Sequence, residues 1–251
     1  MNYLLTLMFD GTAYHGWQRQ ENGITVQQKL EEAVTQLFGP DISVTGCSRT
    51  DAGVHARCFK ANFHSDVERR MNTVVSGMNF YLPNDICVTA CEIVPDEFNA
   101  RFSCESKEYH YVFYDSSVRN PFLFNKAVHV KHVLDVDLMN KEARAFIGTH
   151  DFSSFCAAGA AVRSNVRTVK NAGVFRDNEK VIFYVEADGF LYNMVRIMAG
   201  TLLYIDEDKL AEGSVPDIIR SKNRLSAGKT MPPEGLYLNK VIFKRSAFDG
   251  N

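Results

Sequence analysis

Hydrophobic periodicity changes in a fixed order along the first ninety-odd residues, and that order restricts the folds open to the chain. Tyr3 to Phe9 is rich in Leu, Tyr, Thr and Phe and reads as a strand. Thr25 and Gln28 then form a T-x-x-Q capping pattern, and apolar residues recur at Val26, Leu30, Ala33, Val34, Leu37 and Phe38 with helical spacing. Gly39-Pro40 stops that helix. Two short apolar alternations follow, Ile42 with Val44 and Phe59 with Ala61 and Phe63. Met71, Val74, Val75 and Met78 predict a second helix ended by Pro83, and Ile86 to Val94 another strand. The order β-α-β-β-α-β is that of the split βαβ, or ferredoxin-like, unit.

The second half repeats this order without an obvious sequence repeat. Tyr109, Tyr111 and Phe113 alternate in a strand, and Leu138 to Ile147 reads as a helix. Thr168 to Phe175 and Val181 to Asp188 make a hairpin around Asp177-Asn178. Leu191 to Leu203 reads as the second helix, and Leu236 to Phe243 as the last strand. Residues 115 to 136 form a long irregular insertion. The expectation is an α+β protein of two tandem ferredoxin-like halves, residues 1–103 and 104–251, with the linker near Ser103 to Ser106. The halves should share a mainly antiparallel sheet and form a central cleft where they meet.

Between the second and third strand candidates lies Arg49-Thr50-Asp51-Ala52-Gly53-Val54-His55-Ala56, or RTDAGVHA. Gly53 permits a turn with positive φ, and small neighbours leave room for a ligand near the main chain. A carboxylate two residues from a guanidinium suits a reactive site. The residues alone equally allow Asp51 as a turn cap and Arg49 as a solvated charge. Trp17, in a glycine-rich loop, reads either as a core lid or as a surface for stacking a base. His15 and His55 read first as turn residues with local hydrogen bonds.

The 251 residues are 45% hydrophobic, enough for one large core or two modest ones. A net charge of −2 gives no global basic field, so an RNA partner would need the 28 Lys and Arg gathered on one face. The start, MNYLLTLMFD, lacks a basic leader, and the apolar stretch Phe190 to Ile205 contains Asn193 and Arg196. A cytoplasmic protein without a membrane span is therefore expected. Cys47, Cys58, Cys87, Cys91, Cys104 and Cys156 contain no CxxC pair and no zinc-like spacing, so reduced thiols and no metal are expected. His129 and His132 lack a third ligand in sequence. No P-loop, dinucleotide fingerprint or nucleophile elbow occurs, which fits a reaction that needs no cofactor.

The chain resembles the tRNA pseudouridine synthase A family. RTDAGVHA resembles its signature, and Asp10-Gly11-Thr12, Tyr14 and Gly16-Trp17-Gln18 resemble its first loop. Thr25-Val26-Gln27, Phe98-Asn99-Ala100-Arg101-Phe102-Ser103 and Tyr109-His110-Tyr111 follow in the family's order. So do Asp151-Phe152-Ser153-Ser154-Phe155, Gly189-Phe190-Leu191 with Met194-Val195-Arg196, and Pro232-Pro233-Glu234-Gly235-Leu236. The resemblance implies isomerisation of uridine to pseudouridine at positions 38, 39 and 40 of the tRNA anticodon stem-loop. It implies Asp51 as the essential carboxylate, acting as nucleophile or as base, and a homodimer with one tRNA crossing both subunits.

The remaining roles come from the same resemblance. Alternation would make Tyr109 core packing, whereas the resemblance puts it under the target base. A helical wheel sets Leu191, Met194, Val195, Met198 and Leu202 opposite Asn193, Arg196 and Gly200; the resemblance turns Arg196 toward the cleft. Arg49 would fill the space left by the flipped nucleotide or grip a phosphate, and Arg57, Lys60, Arg69 and Arg70 would add phosphate contacts. Two departures stand out. Cys47-Ser48 replaces a frequent Ala-Gly, and Tyr204 to Asp208 reads YIDED where the family often has glycines, a segment expected to face away from RNA. Two rivals remain: a non-catalytic RNA-binding module, and an enzyme acting on a free nucleoside or another small molecule.

Overall fold

A computed structural model describes residues 1–159 and 163–248. The chain divides into two compact units: Met1–Glu105 together with the segment from Leu238 onward, and Ser106–Tyr237. The first unit begins with β1 (Asn2–Phe9), α1 (Val26–Phe38), β2 (Thr45–Gly46), β3 (His55–His64), α2 (Met71–Tyr81) and β4 (Ile86–Val94). The second carries β5 (Cys104–Asp115), β6 (Val128–Val130), α3 (Val136–Arg144), β7 (Gly148–Asp151), β8 (Val166–Asp177), β9 (Lys180–Ala187), α4 (Met194–Asp206) and α5 (Val215–Ser221). The last strand is β10 (Leu236–Phe243).

In the first unit the strand order is β4-β1-β3-β10, with β2 paired to β3. β1 is antiparallel to both β3 and β4, so the opening strand is paired along both edges. The linear division expected residues after 238 to stay with the second half. They lie instead with the first unit, because β10 adds beside β3. The strand expected over Ile42 and Val44 is displaced: only Thr45 and Gly46 pair, opposite Asn62 and Ala61.

α1 buries Val26, Leu30, Ala33, Val34 and Phe38, the stripe that its periodicity predicts. Its capping pattern is half made. Thr25 accepts the Gln28 N–H at 3.3 Å, while the Gln28 side chain donates forward to Glu32 at 2.9 Å. Phe38 reaches the sheet between Tyr3 and Phe63, at centroid distances of 5.1 and 5.0 Å. Behind β1, the buried amides of Asn2 and Asn62 bond each other. They also bind the Phe98 carbonyl and the Ala100 N–H, and so dock the segment after β4 onto the strands.

In the second unit the order is β5-β9-β8-β7, antiparallel throughout, with β6 running parallel beside β5. β7, α5 and β6 were not expected from the sequence. α4 starts at Met194, three residues later than the apolar run suggests, because Asn193 takes a left-handed conformation at its cap. Tyr111, Phe113, Phe183 and Val185 are buried on one face of the sheet. On the other face Val112, Tyr114 and Ile182 are covered by Leu123 and Ala127. The insertion thus serves as the back wall of this unit's sheet.

Candidate active site

Asp51 sits in a turn whose backbone is fixed from two sides. Its carbonyl accepts the Val54 N–H at 3.2 Å, and Gly53 occupies the left-handed region at φ 78°. The Gly53 N–H donates to the Tyr14 carbonyl at 3.2 Å, and the Trp17 N–H donates to the Thr50 carbonyl at 3.1 Å. The loop after β1 therefore lies main chain against main chain on the Asp51 turn. Gly11 allows that approach: a Cβ there would collide with the Val54 carbonyl. The Asp51 side chain is half-buried, and Arg49, two residues earlier, is exposed.

Trp17 is a core residue. Its ring is buried and stacks on Phe59 at 4.1 Å, against Gly46, so it is closed to a base. His55 is also buried, and its Nδ1 accepts the Gly11 N–H at 3.1 Å. Asp10 Oδ1 lies 3.0 Å from the same nitrogen, while also accepting from the Thr12 N–H and hydroxyl. His15 stays at the loop surface with its ring against Gly23. His55 departs from the local-turn reading: it opens β3, and its ring bonds a loop 44 positions earlier in the chain.

Lys60 and Arg69, both expected to meet phosphates, make contacts within their own unit. Lys60 Nζ donates to Thr6 Oγ1 at 2.6 Å and lies 3.7 Å from Glu92. Arg69 donates to the Leu37 carbonyl at 2.8 Å and covers the Phe38 ring. Arg57 and Arg70 are exposed.

In the second unit, Arg196 projects from the first turn of α4. Its Nε donates to the Met231 carbonyl at 2.7 Å and its Nη1 to Asn193 Oδ1 at 2.7 Å. The helix face that a wheel would leave to solvent is covered by residues 228–231. Gly200 lies under that segment, where a Cβ would strike the Lys229 carbonyl, and the Thr201 hydroxyl accepts the Gly228 N–H at 2.9 Å. Tyr109 is buried on β5, opposite Val185, with its ring edge-to-face on Phe190 at 5.1 Å. Its neighbour Tyr111 donates to the Pro232 carbonyl at 2.7 Å, and burial raises that phenol well above its ordinary range. Asp206, one of the YIDED acids, is used internally. It accepts the Asp135 N–H at 2.7 Å and meets His132 at 2.7 Å.

Asp51 and Arg49 thus belong to the first unit, Tyr109 and Arg196 to the second. Among the described residues no group of three or more His, Cys, Asp or Glu could hold a metal ion, and no helix is long and apolar enough to cross a membrane. A family model described as tRNA pseudouridine synthase matches residues 6–103 and 143–244. The chain belongs to the tRNA pseudouridine synthase family.

Relatives agree along nearly the whole length. The chain is 43% identical over 248 residues to tRNA pseudouridine synthase A of Clostridium acetobutylicum, covering 96% of this chain and 99% of the relative. It is 44% identical to tRNA pseudouridine synthase A of Ruminiclostridium cellulolyticum, over 95% and 98% of the two chains. The Thermoanaerobacter sp. relative of the same name is 41% identical, over 96% and 99%. Within this family member, residues 228–231 escaped the sequence reading, although Gly200 gave a hint of them, since a small residue on a helix invites a close backbone.

Proposed function

We propose that this protein isomerises uridine to pseudouridine in tRNA, at positions 38, 39 and 40 of the anticodon stem-loop, with Asp51 as the essential carboxylate. The observation that carries this reading is the Asp51 turn, clamped by the Tyr14 and Trp17 backbone bonds in a chain of this family. The reaction breaks the N1–C1′ bond, turns the base and joins C5 to C1′. The C5 proton is lost and N1 gains one, so atoms balance without a cofactor. Asp51 either attacks the sugar or removes a proton from it; an ionised carboxylate serves both routes.

A pre-positioned guanidinium suits a role beside that carboxylate. Arg196, held through Nε and Nη1, is assigned to orient Asp51. Tyr109 is assigned to lie under the target base, and Arg49 to fill the vacated stack or hold a phosphate. Exposed Arg57 and Arg70 are assigned to sequence-tolerant phosphate contacts. The protein acts as a cytoplasmic homodimer in this reading, one tRNA crossing both subunits.

Tritium release from C5-labelled uridine in transcript tRNA tests the reading. Wild-type protein should release tritium from tRNA and not from uridine monophosphate. Asp51→Asn keeps the size and turn bonding, so it should fold normally and release none. Turnover of the free nucleotide, or a folded Asp51→Asn that works, refutes the assignment.

A further inference from the structure

Asp85 stands directly before β4 and holds the loop that supports Asp51 at two points, Asp10 and Tyr14. Its carbonyl accepts the Asp10 N–H at 2.9 Å, and its carboxylate accepts the Tyr14 hydroxyl at 2.6 Å. That short bond has the length of a charge-assisted O–H···O⁻ contact, about twice as strong as a neutral one. Tyr14 in turn lends its carbonyl to the Gly53 N–H, two residues after Asp51, and Gly11 of the same loop abuts the Val54 carbonyl. A chain of contacts therefore runs from Asp85 through Tyr14 to the peptide that carries Asp51.

The Tyr14 ring is buried, and burial with the Asp85 carboxylate raises its hydroxyl far above the ordinary phenol range. At neutral pH the hydroxyl is the donor of this bond. Packing alone would keep an aromatic ring in this place. The hydroxyl adds a stop that sets how deep the ring sits, and hence where the Tyr14 carbonyl lies under Gly53.

We propose that Asp85 is a positioning residue which, acting through Tyr14, fixes the backbone of the Asp51 turn for catalysis. This rests on Asp51 being the reacting carboxylate. Displacing a reacting group by about 1 Å costs roughly a hundredfold in rate, so a modest relaxation of the turn is enough to be measured.

The test compares Tyr14→Phe, Asp85→Ala, Asp85→Asn and the double variant Tyr14→Phe/Asp85→Ala with Asp51→Asn, using tritium release from transcript tRNA. Tyr14→Phe and Asp85→Ala should each lower kcat by about ten- to a hundredfold while KM stays within about twofold. The double variant should be no slower than Asp85→Ala, because both changes delete one bond. Asp85→Asn keeps a neutral acceptor and should regain most of the rate. Wild-type kcat in Tyr14→Phe, or losses that multiply in the double variant, overturns the inference while Asp51→Asn is inactive. A purely structural bond would lower the melting temperature and leave kcat alone. If Asp85→Ala does not fold, Tyr14→Phe and Asp85→Asn decide by the same criteria. Turnover by Asp51→Asn is a separate outcome that removes the Asp51 assignment itself.

Discussion

Arg196 and Met231 exchange two hydrogen bonds: the Arg196 Nε donates to the Met231 carbonyl at 2.7 Å, and the Met231 N–H donates to the Arg196 carbonyl at 3.2 Å. One guanidinium edge is thereby committed to the chain that crosses α4. Lysine keeps the charge but offers a single flexible centre, which cannot reproduce this edge. Arg196→Lys is expected to lower kcat by roughly a hundredfold with little change in tRNA affinity. It should also cost about 1–3 kcal/mol of stability, because the Met231 carbonyl loses its donor. Single-turnover rates, filter binding and urea titration separate these effects. Wild-type turnover would assign Arg196 to holding residues 228–231 alone.

The same crossing makes Gly200 intolerant of a side chain. A Cβ there meets the Lys229 carbonyl, a backbone atom that cannot swing aside. Gly200→Ala gains helix propensity of about 1 kcal/mol but overpacks the crossing, which typically costs about 1–3 kcal/mol. A net loss of stability is expected, with a fall in activity from the displaced Met231 and hence Arg196. A melting temperature equal to or above wild type would show that the segment moves freely.

Binding to tRNA is expected to be electrostatic yet local, since the chain carries a net charge of −2. With several phosphates neutralised, affinity should fall by roughly a hundredfold between 50 and 200 mM salt. Arg57→Gln should flatten that slope by about one unit and leave the preference among positions unchanged. A slope that ignores salt favours a small-molecule substrate.

What the sequence made legible was local. The α1 stripe and cap, the hairpin at Asp177-Asn178 and the turn at Gly53 each follow from residues within a few positions of one another. Contacts across long separations were not legible. Trp17 could have faced either way until Phe59 and Gly46 were seen to enclose it. The wheel placed Arg196 on a polar face, but a wheel cannot show that a segment some thirty residues later covers that face. Tyr14 and Asp85 are 71 positions apart, and an aspartate after Pro83-Asn84 reads only as part of a turn. The pairing of β10 with β3 was hidden for the same reason, since strand pairing is not encoded in either strand alone.

The last prediction concerns acid. Asp115, at the end of β5, has a buried carboxylate that receives both Nη1 and Nη2 of Arg176, at 2.7 and 2.6 Å, and the Leu134 N–H at 2.9 Å. The Arg176 hydrogen bonds lower its pKa, against the opposing effect of burial, with the Leu134 bond helping. A folded pKa below the unfolded value of about 3.9 means that the pair stabilises fully above that pH. The contribution is lost as pH falls through the lower, folded value. Arg176 is partly exposed, so solvent screens the pair, and Asp115→Asn should cost only about 1–2 kcal/mol at pH 7. That difference should shrink steadily below about pH 4 and vanish once Asp115 is protonated in both states. Urea midpoints of wild type and Asp115→Asn, measured from pH 6 to pH 2.5, check the sign. A gap that widens toward acid would mean that the carboxyl is held in its neutral form, and the assigned direction of its shift would be wrong.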